Sequence, residues 1–250
     1  MQKEYYPWYY RIEREHWWFQ VRNEILKNLV RDFSGKQSLK ILNVGVATGY
    51  TTEMLQEFGD LTSVEYDKDC YDYLQSFLPG KIVNASITEL PFSDNEFDIV
   101  CAFDVLEHVQ EDREAVRELN RVCKKNGTII VSVPAYRFLW SEHDIINHHV
   151  TRYTEKELLN LFSRNKIVYS SYFNFFLFIP IALVRVVKTL MFGKPKVELA
   201  KSDFKSVEPT IISRILKFIF SCERLFINRR ISLPFGVSII LVAEKHNNEQ

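Results

Sequence analysis

The stretch "ILNVGVATGY", residues 41–50, decides how the rest of the chain is read. An apolar run interrupted by Asn43 reaches Gly45, and Gly49 follows after three residues that include no glycine. A strand that ends in a glycine turn and feeds a helix brings backbone N–H groups close to a ligand at the strand's carboxyl end. A nucleotide-type cofactor leads to the expectation of an acidic residue near position 43, where this chain has Asn43.

Around that turn, residues 39–134 alternate short β-rich runs with helical ones. The pattern predicts strands over 40–44, 61–65, 81–84, 97–103 and 127–133, with helices over 51–58, 68–78 and 113–123. Near-continuous apolar runs such as "FDIVCAF" and "TIIVSV" suit a sheet covered on both faces. Strand–helix alternation at this spacing argues a parallel, doubly wound sheet. Beyond Pro134 a polar, His-rich segment (136–153) leads into "TEKELLNLF", where Thr154 and Glu157 make a capping box. A strand over 166–173, a long insert and a final strand in "GVSIILVAEK" complete the order.

One strand beyond the turn, "SVEYD" places Glu65 at a strand end, where a carboxylate accepts ribose hydroxyls. A dinucleotide requires a glycine triplet for its pyrophosphate, and Ala47 occupies the middle position. A cofactor without phosphates needs the turn but not the phosphate cradle, which favours S-adenosylmethionine.

The chain resembles class I S-adenosylmethionine-dependent methyltransferases. The resemblance rests on "ILNVGVATG", "VEYD", "ITELPFSDNEFDIVCAFDVLEHV" and "RVCKKNGTIIVSVPA". "EHWWFQVRNEIL" and "LWSEHDIINHHVTRYTEKEL" are similar to a bacterial and archaeal branch whose members often accompany genes for surface glycans or lipid-linked sugars. The implied fold is α/β: a doubly wound, Rossmann-like, mostly parallel seven-stranded sheet with an antiparallel last strand. The implied cofactor positions are Arg22, Asn43, Gly45, Val46, Gly49, Glu65, Tyr66, Ser86, Ile87, Phe103, Asp104 and His108. Relatives usually carry Asp or Glu at the position of Asn43, Cys-Gly at Val46-Ala47, and often Asp at Ser86. Asn43 hydrogen-bonds but does not attract an ammonium as a carboxylate does. The expectation is a weakened but working loop.

Methyl transfer from a sulfonium needs alignment of the acceptor and, for a hydroxyl or amine, removal of a proton. His143, Asp144, His148 and His149 cluster in the segment after the fifth strand. His148 or His149, oriented by Asp144, is the expected general base, with His143 as a further candidate; a loop tied down by polar side chains is the bland alternative. "DVLEHV" offers Asp104, Glu107 and His108 in a spacing that resembles the metal-binding version of quinone-precursor O-methyltransferases. His is a poor ligand for Mg²⁺, so a site without metal is expected. Zinc on His143, His148 and His149 lacks an evident fourth ligand. In "REHWWFQVR", one or two of Trp17, Trp18 and Phe19 are expected to pack on the sheet while another covers the cleft, and Arg22 is placed to meet the cofactor carboxylate.

With 250 residues, 46% hydrophobic and 26% charged, the chain suits a single domain with an elaborated core. The division expected is an N-terminal helical cap (1–38), a Rossmann-like core (39–173), a helical lid insert (174–233) and a final strand (234–245). Cys70, Cys101, Cys123 and Cys222 show no CxxC spacing and read as reduced packing residues. The N-terminus shows no apolar signal-peptide region, and the apolar run 175–184 is too short to span a membrane. The net charge is zero, yet residues 151–250 carry 16 Lys+Arg against 8 Asp+Glu. In "TIISRILKFIFSCERLFINRR", Arg214, Lys217, Ser221 and Arg224 are expected on one helix face, opposite Ile212, Ile215, Leu216, Ile219 and Phe226; Arg185 and Lys188 repeat the theme. A basic, amphipathic insert suits a small-molecule or lipid-linked anionic acceptor, or peripheral contact with the inner face of the membrane from the cytoplasm. A lid packed on its own domain, or on a second copy in a homodimer rather than a monomer, suits it as well. No nucleic-acid partner is expected: there is no Asp/Asn-Pro-Pro-aromatic motif and the chain is not basic overall. The reading is an S-adenosylmethionine-dependent methyltransferase acting most readily at oxygen. The alternative is a degenerate methyltransferase-like partner protein with weak or no cofactor affinity.

Overall fold

A computed structural model describes residues 6–35, 39–78, 80–193 and 210–246. The middle of the insert, residues 194–209, and most of the terminal "HNNEQ" lie outside the described residues.

Among the described residues, seven strands form one sheet: β1 (Leu39–Val44), β2 (Gly59–Glu65), β3 (Lys81–Asn84), β4 (Phe97–Phe103), β5 (Cys123–Pro134), β6 (Lys166–Phe173) and β7 (Ser238–Glu244). Their order is β3-β2-β1-β4-β5-β7-β6. β1 to β5 pair in parallel, while β7 runs antiparallel between β5 and β6. The order reverses between β1 and β4, so a crevice opens at the carboxyl ends of those two strands, where such sheets bind ligands.

Among the described residues, ten helices surround the sheet. They are α1 (Tyr6–Glu15), α2 (Trp17–Phe33), α3 (Tyr50–Leu55), α4 (Lys68–Leu74), α5 (Asp112–Val122), α6 (Glu142–Ile146), α7 (Glu155–Leu161), α8 (Phe178–Phe192), α9 (Ile211–Cys222) and α10 (Arg224–Ile227). Side-chain alternation along the strands divides the core. Leu42, Val100 and Val131 face one side with Leu119 and Val122 of α5 and Leu158 of α7. Ile41, Ile99 and Ile130 face the other with Ile25, Leu26 and Leu29 of α2 and Phe220 of α9. The helix predicted over 68–78 ends at Leu74, because the backbone tightens: Phe77 N–H donates to the Leu74 carbonyl at 3.2 Å. The helix predicted over 51–58 splits into α3 and a 3₁₀ turn over Gln56–Phe58. The Thr154–Glu157 capping box is formed in both directions. All four cysteines are free, three of them buried.

The insert departs from its predicted orientation. α9 docks on α2 through Leu216, Ile219 and Phe220. Lys217 Nζ donates to Gln20 Oε1 at 2.6 Å, and Arg224 pairs with Glu24, so these basic residues meet the polar edge of α2. Ile212 and Ile215, expected opposite the basic face, are exposed, as are Ile211 and Phe218. α8 shows no buried side chain among those described; Ile179, Leu183, Leu190 and Met191 are exposed, Leu190 at 80%. No helix among the described residues is long and apolar enough to cross a membrane.

Candidate active site

The carboxyl ends of β1, β2, β4 and β5 open into a cleft of about 1700 Å³. That exceeds the roughly 300–1,000 Å³ of a pocket for one small ligand, so a cofactor and an acceptor fit side by side. Gly45 adopts φ +82°, and a Cβ there would lie 2.4 Å from Val105 Cγ2; close packing as well as backbone geometry demands glycine. Gly49, at φ +94°, caps the start of α3. Between them the N–H groups of Val46 and Ala47 donate to Glu65 Oε2 at 3.1 and 3.3 Å, and Asp67 N–H donates to Oε1 at 2.9 Å. Glu65 therefore braces the glycine turn across two strands while lining the cleft. Burial pushes its carboxyl above the ordinary value, against the pull of those three donors.

Asn43 is fully buried, and its Nδ2 donates to Thr52 Oγ1 at 3.0 Å. It ties β1 to α3 and is not among the residues that line the cleft. Gly45, Val46, Glu65, Tyr66, Ser86, Ile87, Phe103, Asp104, His108 and Arg22 all line the cleft; Gly49 shapes the turn from behind. Arg22 is committed elsewhere than expected. Its Nε donates to Asp104 Oδ2 at 2.8 Å, and Ser132 Oγ holds the other oxygen of that carboxylate at 3.0 Å. Trp17, Trp18 and Phe19 all line the cleft as well, and Trp18 stacks on Phe220 of α9. The cleft residues that escaped the sequence reading include Thr48, and Glu13 of α1, which accepts the Thr48 hydroxyl and so closes the N-terminal helix over the glycine turn. "RIERE" reads as an exposed charged helix, and nothing in it singles out Glu13.

The segment after β5 is built around Asp144, which is fully buried. Its carboxylate accepts Ser141 N–H at 2.7 Å, Arg152 Nε at 2.7 Å, Arg152 Nη2 at 3.1 Å, and His149 Nδ1 at 2.8 Å. Burial alone would raise this carboxyl; the hydrogen bonds from His149 and Arg152 and the guanidinium charge overturn that and hold it well below the usual range. Arg152, only 2% exposed, was not singled out from the sequence. Val150 N–H donates to the Glu107 carbonyl at 2.7 Å, which stitches this segment to the end of β4. His149 is thereby set against His108, ring centroids 4.7 Å apart and perpendicular. Glu107 lies beside them with 1% exposure, and its Oε2 accepts no hydrogen bond. Burial, then the nearby Asp104 charge, push the Glu107 carboxyl well up. His143 and His148 also line the cleft, His143 against the Asn147 amide and His148 exposed at φ +56°. Asp144 sits behind this wall, outside the cleft itself. From here the cleft continues to Pro180, Ile181, Val184, Arg185 and Lys188 of α8.

The sheet order, the glycine turn and the carboxylate that braces it define the class I S-adenosylmethionine-dependent methyltransferase fold. Residues 42–131 match a family model described as a methyltransferase domain. The chain is 26% identical over 125 residues to a protein named as a probable S-adenosylmethionine-dependent methyltransferase of Mycobacterium tuberculosis, covering 49% of this chain and 44% of that one. It is 29% identical over 112 residues to a demethylmenaquinone methyltransferase of Staphylococcus aureus, covering 42% and 46%. A chain of the Haloferax volcanii complex between the Trm112 methyltransferase activator and a methyltransferase superposes with a TM-score of 0.62 at 13% identity, covering 99% of both chains. The matched core, residues 42–131, thus carries the pattern of a methyltransferase domain and is similar to proteins named as S-adenosylmethionine-dependent methyltransferases. The chain spans less than half the length of the curated relatives named here.

Proposed function

We propose that this protein transfers a methyl group from S-adenosylmethionine to a hydroxyl oxygen of a small amphiphilic acceptor, of the lipid-linked, anionic kind. One observation carries the reading: a single cleft joins the glycine turn, the Asp144-anchored His149 and the apolar helix α8. S-adenosylmethionine supplies a methyl group that is already activated, so the protein's task is alignment and proton removal. In this reading Glu65 holds the ribose while Gly45 and Val46 approach the rest of the cofactor. His149, kept by Asp144 in the tautomer with hydrogen on Nδ1, presents Nε2 to take the acceptor's proton as the methyl moves. The oxygen–carbon bond forms as the carbon–sulfur bond breaks, and the electron pair stays on sulfur.

The name of the Staphylococcus aureus relative gives demethylmenaquinone as its acceptor, a small molecule, which supports the same scale of substrate here. The exposed apolar side chains of α8 and α9, with Lys188 and Arg214 among them, favour an acceptor presented at an anionic membrane surface on the cytoplasmic side. Titration with S-adenosylhomocysteine in a calorimeter tests the cofactor reading; absence of binding would mark a degenerate fold that has lost it. Transfer of radiolabelled methyl into the organic extract of membranes tests the acceptor class. Label that stays wholly in the aqueous phase removes the lipid-linked acceptor.

A further inference from the structure

We propose that Glu107, His108 and His149 form a binding site for a divalent transition cation of the zinc type, with an open coordination position facing the cleft. Each residue offers one ligand atom, and the three atoms lie within 4.8 Å of one another. Zinc bonds of about 2.0–2.1 Å set tetrahedral ligands roughly 3.3 Å apart, so side-chain rotations of about an ångström close the set.

Two further observations point to a cation. The Glu107 carboxylate is buried beside the Asp104 carboxylate, and its Oε2 accepts no hydrogen bond; a cation supplies the partner that such an oxygen lacks. Both histidines are also braced from behind. His149 Nδ1 is bonded to Asp144 Oδ1, and His108 bonds the backbone of Asn147. A metal-ligating histidine typically gives its second ring nitrogen to a carboxylate or a carbonyl, which fixes the ring and frees the other nitrogen for the ion.

Two imidazoles and one carboxylate, with a position left open, form a donor set for zinc and similar borderline ions rather than for Mg²⁺ or Ca²⁺, which prefer oxygen. The set is not the one suggested by "DVLEHV". Asp104 is occupied by Arg22 and Ser132, and His149 of the following segment takes the third place. The inference rests on the reading that this end of the cleft receives the acceptor oxygen, and it deepens that reading. A bound cation would take His149 Nε2 as a ligand and would make the acceptor hydroxyl more acidic, so that its proton would pass to water in the cleft rather than to the imidazole.

The test uses the full chain dialysed against chelator, titrated with Zn²⁺ by calorimetry and with Co²⁺ by visible absorption. One equivalent should bind. Glu107→Gln, His108→Ala and His149→Ala should each weaken Zn²⁺ binding by more than about 100-fold, beyond the 10–100-fold typical of losing a supporting partner. His143→Ala and His148→Ala should leave it intact. Should Glu107→Gln fail to fold, His108→Ala decides, because that side chain is exposed along the cleft. Zn²⁺ binding that survives His108→Ala and His149→Ala, or none in the parent chain, overturns the proposal. S-adenosylhomocysteine affinity, measured on the same samples, keeps the outcomes apart: retained cofactor binding without zinc ends the metal site and leaves the methyltransferase reading standing.

Discussion

Asp144→Asn tests whether the segment after β5 is held as described. The wild-type carboxylate takes five hydrogen bonds, two from Arg152 and two from Ser141, and the Asp144 and Arg152 side chains are almost entirely shielded from water. An asparagine keeps one oxygen, but turns an N–H₂ group toward donors and leaves the guanidinium buried without its counter-charge. Breaking a buried pair in this way costs about 3–5 kcal/mol, against a total stability of about 5–15 kcal/mol for a domain. The pH dependence has a definite sign. The folded-state pKa of Asp144 is depressed below the ordinary 3.8, so its contribution is complete above that value and is lost as pH falls through the folded pKa. Urea unfolding at pH 7 should show the full deficit, and at pH 3.5 a smaller one. Asp144→Asn combined with Arg152→Met should recover part of the loss, because the orphaned charge is gone. A single variant within about 1 kcal/mol of wild type at pH 7, or a deficit that grows on acidification, would refute the reasoning.

Glu65→Ala removes the brace on Val46 and Ala47 as well as the proposed ribose acceptor. One charged hydrogen bond is worth about 1.5–3 kcal/mol, so S-adenosylhomocysteine should bind roughly 10–150-fold more weakly by calorimetry; unchanged affinity would remove Glu65 from the cofactor site. Glu223 is fully buried, its Oε1 accepts Phe176 N–H at 3.0 Å, its Oε2 accepts nothing, and burial pushes its carboxyl up to about 7. Because this pKa is raised on folding, stability falls as pH rises from about 4.5 to 7. Glu223→Gln should therefore gain on wild type by a few kcal/mol, on the order of 3, between pH 5 and pH 8 in thermal melts, and a constant difference would show that the carboxyl is not perturbed. Leu190→Glu on α8 should leave the melting temperature unchanged, since the side chain is exposed, yet abolish co-flotation with anionic phosphatidylglycerol vesicles. Equal flotation of variant and parent would take α8 off the membrane.

The parts of the fold that local chemistry dictates were legible. Apolar runs at strand length, the glycines at 45 and 49, and the Thr154 cap each act within a few residues, so their signals survive in one dimension. The orientation of α9 was not legible, because periodicity separates two faces without saying which neighbour each will meet. Here Lys217 and Arg224 meet Gln20 and Glu24 at the surface edge of α2, and Ile212 and Ile215 stay exposed. The site shows the same division. Glu65 could be placed from its strand end, whereas the inward turn of Asn43 toward Thr52 depends on how α3 packs. The meeting of Glu107 with His149 depends on backbone hydrogen bonds between segments some forty residues apart, and no local pattern encodes it.

The seventh strand in sequence order fills the gap between β5 and the edge strand β6. β7 pairs Thr128 with Glu244 on one side and Lys166 with the same residue on the other. Until that C-terminal segment has left the ribosome, β5 presents "TIIVSV" as an open edge and β6 has no neighbour at all. The floor beneath α2 and α9 is equally incomplete, because Ile240 and Val242 belong to it. Contacts this distant in sequence delay folding, and unpaired apolar edges are what nascent chains aggregate through. A chain cut before residue 238 would therefore lose more than β7: β6 would have nothing to join, and the β5 edge would stand open to other chains.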